Sequence, residues 1–364
     1  MKATSFLWIA AGLFFSSGLG ACGPVDSDSA GGGGSGGEAS GSGSGGAATG
    51  GAPMVDAGHG SGGLSGGAGG AIVTGSGGGG VVPPSSSGCP LFTPDDLWNK
   101  DVLASAVDAA WTTKLQASVG AVKIHPDFGA GFGIPINIVP DNAAPVPVTF
   151  DAYASESDPG PYPFPAVSAV HLEGTTNPST CDGDCHLLTV QKGTCMLYEG
   201  YACHYASGWH CDNGAKWDLK KNSYGQRKSG WTSADAAGLP IYAGLARYEE
   251  VKAGAINHAL RFTVKCTRGS FVMPATHEAV PSGCSATDPN SPPMGLRVRL
   301  KANYDDSKLR GSAKVFAQAF KKYGMILADN GSNFFFQSED SPNWGDEIND
   351  LKTIPASAFE VVAP

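Results

Sequence analysis

The sequence predicts a mainly β fold, a β-sandwich or barrel-like single domain with two short helices; an α+β sheet is the alternative. Three observations predict it. Short apolar runs recur between clusters of Gly, Pro, Asn and Asp, the punctuation expected of strands. Only two stretches carry helical periodicity over several turns. Eight cysteines fall within residues 88–364, which suits a domain stapled by disulfides.

Strands are expected at 134–139, 146–150, 169–172, 186–190, 196–201, 258–265, 270–274 and 296–302. Two more, 325–328 and 333–337, flank Asn330-Gly331, a hairpin signal because both residues tolerate positive φ. The helices are expected at 104–119 and 311–323. The second places Val315, Phe316, Ala319, Phe320 and Tyr323 on one face. Thr232-Ser233-Ala234-Asp235 reads as the cap of a short helical turn.

The N-terminus has a different character. Lys2 is the only charged side chain before Cys22, and an apolar run follows from Phe6 to Phe15. It falls short of the roughly 20 residues a spanning helix needs. A short apolar run behind a positive end reads as a signal peptide, here residues 1–21. It ends Leu19-Gly20-Ala21-Cys22, which resembles the bacterial lipobox: an aliphatic residue, two small ones and the cysteine that receives lipid. The resemblance implies a lipoprotein anchored through Cys22, at the outer membrane or cell surface. Residues 22–87 are nearly all Gly, Ser and Ala, a composition that cannot bury a core. As a flexible tether they would span roughly 40–50 Å on average. Residues 88–364 form the expected globular domain.

Charge excludes more than it selects. One of the 24 basic and four of the 33 acidic residues lie before residue 88, which leaves the domain at net −6. Nothing resembles a basic footprint for nucleic acid. Within the domain there is no phosphate loop, no H-E-x-x-H zinc motif and no G-x-S-x-G elbow. No cofactor is expected, and a monomer is. Among the cysteines, Cys203 with Cys211 and Cys266 with Cys284 each close a short loop and are the expected disulfides. Cys181, Cys185 and His186, and the symmetric Cys203-His204…His210-Cys211, offer zinc as a competing reading. They lack a C-x-x-C pair, so no metal is expected.

Candidate chemistry gathers around one predicted hairpin, with Val190 facing Cys195. That register sets His186 opposite Glu199 and Asp184 opposite Tyr201. A His–carboxylate pair can orient an imidazole and raise its pKa. Glu173, at the end of the preceding strand candidate, could join it. His258 and His277 end two strands expected to form a second hairpin. Asp235 is a further carboxylate candidate. Tyr162, Tyr201, Trp209, Trp217 and Trp231 are candidates for stacking on sugar rings.

Several motifs are spread over most of the domain. They are Tyr162-Pro163-Phe164-Pro165, Leu197-Tyr198-Glu199, Gly230–Pro240, Arg247-Tyr248, His258-Ala259-Leu260-Arg261-Phe262, Pro292-Pro293-Met294-Gly295-Leu296-Arg297 and Ala328-Asp329-Asn330-Gly331-Ser332. Together they resemble a largely uncharacterised family of exported bacterial proteins. The resemblance implies one exported domain and carries over no site residues. The functional expectation is a membrane-tethered enzyme acting on an extracellular polysaccharide, a glycoside hydrolase or a lyase. The alternatives are a non-catalytic carbohydrate-binding or adhesive lipoprotein and a structural envelope lipoprotein.

Overall fold

The structure, a computed structural model, describes residues 87–128 and 132–363. The expected signal peptide, the expected lipidation site Cys22 and all but the last residue of the expected tether lie outside the described residues. The described chain is mainly β, with few short helices. In order its elements are α1 (Ala109–Val119), β1 (His125–Pro126), β2 (Ile136–Val139), β3 (Val148–Phe150), β4 (Leu187–Gln191), β5 (Met196–Tyr201), β6 (His204–Tyr205), β7 (Trp209–Cys211) and β8 (Asn213–Asp218). Then come α2 (Ile241–Gly244), α3 (Tyr248–Lys252), β9 (Leu260–Val264), β10 (Arg297–Leu300), α4 (Gly311–Lys322), β11 (Met325–Asn330), β12 (Phe335–Phe336) and β13 (Phe359–Val361).

These strands make three sheets, ordered β1-β12-β9-β11-β10-β13, β2-β4-β5-β8 and β3-β7-β6. β4 and β9 are buried along their whole length, as suits interior strands with neighbours on both edges. Their apolar runs Leu187-Leu188-Thr189-Val190 and Leu260-Arg261-Phe262-Thr263-Val264 are therefore continuous rather than alternating. α4 buries Ala313, Phe316, Ala317, Ala319 and Phe320. Phe316 and Phe320 both pack on Phe336 of β12, and Phe320 reaches Phe359 of β13. Each buried Phe contributes roughly 1.5–3 kcal/mol relative to an exposed one. The turn after α4 needs Gly324, at φ +71°, where a Cβ would collide with the carbonyl of Val298.

Four disulfides close the domain: Cys89–Cys195, Cys181–Cys185, Cys203–Cys211 and Cys266–Cys284. They include both expected short loops, and they suggest an oxidising, extracytoplasmic environment. Among the described residues no helix is long and apolar enough to cross a membrane.

Several local expectations are corrected. α1 starts at Ala109 rather than 104, because Asp108 caps it through a 2.8 Å bond from Trp111 N. Val107 instead bridges to Val362 beside β13. The stretches 169–172 and 270–274 are not strands. Each holds one isolated bridge, Leu172 to Thr175 and Phe271 to Met294. β11 and β12 do not form a hairpin across Asn330-Gly331, because β9 lies between them and pairs with both.

The β4–β5 hairpin forms, but its register differs from the expected one by two residues. Glu199 faces Leu188, and Gln191 faces Met196. The cause is Cys195, which leaves the ladder at φ +57° and joins Cys89, so the turn takes residues 192–195.

Candidate functional site

A cluster of charged side chains forms between the start of β4 with the end of β5 and the neighbouring strands β9 and β11, beside the loop holding Asp235. Glu173, in the Leu172–Thr175 turn, donates its N–H to the carbonyl of His186 at 3.2 Å. Its carboxylate accepts from the His186 backbone N–H at 3.4 Å and from Nδ1 of the imidazole. Nε2 of the same ring donates to the Ala234 carbonyl at 3.1 Å. The Tyr201 ring lies 5.6 Å from the imidazole, centroid to centroid. His186 is buried, which alone would favour the neutral ring. The Glu173 carboxylate beside it outweighs that and pushes its pKa up to about 9. Burial likewise opposes ionisation of Glu173, but the imidazolium and its hydrogen bonds hold the carboxyl below its ordinary value. The two are therefore an ion pair at neutral pH, with both ring nitrogens engaged.

Arg261 supplies the other half of the cluster. It is the second residue of β9, fully buried, and forks onto Asp235 through Nη2–Oδ1 at 2.7 Å and Nε–Oδ2 at 3.2 Å. The same guanidinium reaches Asp329 Oδ2 at 3.4 Å and the side-chain oxygen of Gln337. Asp329, one residue before the end of β11, has 26% of its side chain exposed. Burial first, and then the Asp235 charge, raise its pKa well above its ordinary value, against the pull of Arg261. Asp329 therefore holds its proton to higher pH than an ordinary carboxyl. The exposed Asp184 charge acts on both Asp329 and His186, and Arg261 acts on Glu173, so the two halves are one electrostatic unit. One donor atom each from Glu173, Asp184 and His186 lie within 4.8 Å of one another. A metal ion there would have to displace the proton that Glu173 holds on His186.

The structure brings together Glu173, Asp184, His186, Tyr201 and Asp235 from the expected set. Asp235 does not cap a helix; its carboxylate is taken by Arg261. Glu199 is corrected to a structural role. It is fully buried and accepts from Trp217 Nε1 at 3.1 Å, Ile241 N at 3.2 Å and Tyr242 N at 2.8 Å, which anchors the start of α2. Burial, partly offset by these donors, raises its pKa to about 7.

His258 is also structural, enclosed by Arg247 NH2 at 2.9 Å, Glu250 Oε2 at 3.2 Å and its neighbour's carbonyl. His277 shares no partner with it. Its Nδ1 meets the Ala236 carbonyl at 2.8 Å, next to the loop that His186 also pins. No hairpin joins the two histidines, since β9 pairs with β11 and β12.

Three aromatic expectations are corrected by burial. Tyr162 packs against Phe150, Phe164 and Tyr198, with its hydroxyl on the Asp158 carbonyl. Trp209 packs between Phe164 and Tyr205, and Trp217 holds Glu199. None of the three can stack on a sugar. Trp231 is half-buried, with Lys228 Nζ 4.0 Å over its ring.

No family model, curated protein or solved structure matches the chain. The cluster must therefore be read from its own chemistry. Arg261, Asp329 and Gln337 are members that the sequence reading missed. Arg261 carried a signal: an arginine inside the apolar run Ala259-Leu260-Arg261-Phe262 has to find a buried carboxylate.

Proposed function

We propose that this chain is an exported, lipid-tethered enzyme that cleaves an extracellular polysaccharide by acid–base hydrolysis. One observation carries the reading: Asp329, a partly exposed carboxyl whose pKa burial and the Asp235 charge raise, lies in the same cluster as the Glu173–His186 ion pair and the exposed Asp184. Glycoside cleavage needs two carboxyl groups whose surroundings drive their protonation apart. In this reading Asp329 gives its proton to the leaving oxygen. Asp184 acts as the base that activates water, or as the nucleophile. Arg261 and the Glu173–His186 pair position the cluster and set its charge. Hydrolysis is favoured over a lyase mechanism using His186, because both nitrogens of that imidazole are already engaged. The lipobox supports anchoring through Cys22, and four disulfides support export.

The test is a screen of soluble and insoluble polysaccharides with the mature full-length protein, scored for new reducing ends and for ultraviolet-absorbing unsaturated products. Reducing ends without unsaturation are expected. Asp329→Asn and Asp184→Asn should each lower the rate by about 10²-fold or more at an unchanged melting temperature. Binding on a glycan array with no turnover of any bound polymer would favour a carbohydrate-binding protein instead. Mass spectrometry of the mature N-terminus should find acyl chains on Cys22, and Cys22→Ala should release the protein from membranes.

A further inference from the structure

We infer that Asp151, His204 and His210 form a surface site for a divalent transition-metal ion of the zinc class. The site is separate from the charged cluster above and does not depend on the hydrolase reading. Backbone pairing builds it. β6 and β7 are antiparallel, with His204 and His210 directly opposite each other, so their side chains share a face. The Cys203–Cys211 disulfide joins the residues immediately outside this pair. The two imidazoles lie 5.4 Å apart between centroids and are inclined by 24°.

β3 runs parallel to β7 on its other edge, with Phe150 facing Cys211. The next residue, Asp151, bonds through its N–H to the Cys211 carbonyl at 2.9 Å. That places its carboxylate 3.1 and 3.3 Å from His210 Nδ1. One donor atom from each of the three residues lies within 4.8 Å of the other two.

The donor set selects the ion. Two imidazole nitrogens and one carboxylate oxygen suit zinc, nickel or copper, whereas magnesium and calcium favour all-oxygen shells. The 3.1 Å hydrogen-bonded contact of Nδ1 and Oδ2 is near the roughly 3.3 Å edge of a tetrahedron whose bonds are about 2.0–2.1 Å, so an ion would take the place of the proton between them, at a pair that is more exposed than Glu173–His186. His204 and His210 are half-buried and Asp151 is exposed, so solvent can supply a fourth ligand. Three protein ligands with an open position is the pattern of a reactive rather than a purely structural zinc site. Two strand pairings and a disulfide hold all three backbones in place, so little ordering opposes binding. The symmetric Cys203-His204…His210-Cys211 thus has a divided use: its cysteines form the clip and its histidines face the ion.

The test is isothermal titration of the oxidised full-length protein with zinc chloride. One equivalent should bind at this site, and excess magnesium or calcium should not displace it. His204→Ala and His210→Ala should each abolish that event. Asp151→Asn, at an exposed position, should keep the fold and weaken binding at least about tenfold. His186→Ala should leave it intact, which separates this site from the Glu173/Asp184/His186 group. Cobalt substitution should give the visible absorption of a nitrogen- and oxygen-ligated ion in the wild type and lose it in His210→Ala. Failure to bind zinc, or zinc binding that survives His204→Ala and His210→Ala unchanged, overturns the inference.

Discussion

At the scale of single residues, the Glu173–His186 pair makes stability depend on pH in a definite direction. His186 is raised from an ordinary 6.5 to about 9, so its contribution is complete below about 6.5 and is lost as pH rises through about 9. Glu173 is depressed, so its share is present above about 4.5 and is lost as pH falls further. Glu173→Gln should therefore cost about 1–3 kcal/mol near pH 6. Urea denaturation should show the gap to wild type narrowing toward pH 9.5, and a gap independent of pH would refute the pairing. Asp329 has the opposite sense: burial and then the Asp235 charge raise its pKa. If it is the proton donor, hydrolysis should persist at pH values where an ordinary carboxyl would be ionised and then fall as pH rises further. A pH–rate profile checks this, and Asp329→Asn should erase the alkaline limb along with most of the rate.

At the scale of elements, two glycines govern how the sheets approach. Gly200 of β5 and Gly214 of β8 are direct partners. A Cβ at Gly200 would strike the sulfurs of Cys203 and Cys211, and one at Gly214 would strike Phe150 and the Tyr162 hydroxyl. The bare backbone at this pair lets the three-stranded sheet, with its disulfide clip, lie against the four-stranded one. Gly200→Ala should destabilise the domain by about 1–3 kcal/mol through overpacking, measured as a lower urea midpoint at an unchanged slope. An unchanged midpoint would mean that the two sheets can separate without cost.

This pair also explains what was legible in the sequence. β5 was read at its full extent because Met196-Leu197-Tyr198 is apolar and bounded by turn residues. β8 was missed because Asn213-Gly214 reads as a turn, although Gly214 is there for contact rather than curvature. β7 was hidden inside a short cysteine loop. The site was half legible for a similar reason. His186 and Glu173 stand out by residue type, whereas Asp329 looked like part of an Asn-Gly turn. Its link to Arg261 depends on β9 inserting between β11 and β12, a long-range order that local pattern does not carry.

At the scale of the whole molecule, Cys89–Cys195 is the widest tie, with a sequence separation of 106. A loop of about 100 residues is constrained by roughly 4.7 kcal/mol in the chain-entropy view, though measured values usually fall at 2–5 kcal/mol. The bond joins the start of the domain to the β4–β5 turn, and β4 and β5 are the inner strands of their sheet. It therefore also decides how the domain bears load. A pull on the chain from the N-terminal side of Cys89 does not peel away the first helix and strands one by one. It passes through sulfur to the tip of an interior hairpin, and everything between the two cysteines is short-circuited. Stretched in optical tweezers from its two ends, the oxidised protein should release about 47 nm less contour than the same protein with reductant, from roughly 3.6 Å for each residue locked by Cys89–Cys195, Cys203–Cys211 and Cys266–Cys284, with the first supplying most of it. While the bond holds, the segment between the two cysteines carries none of that load.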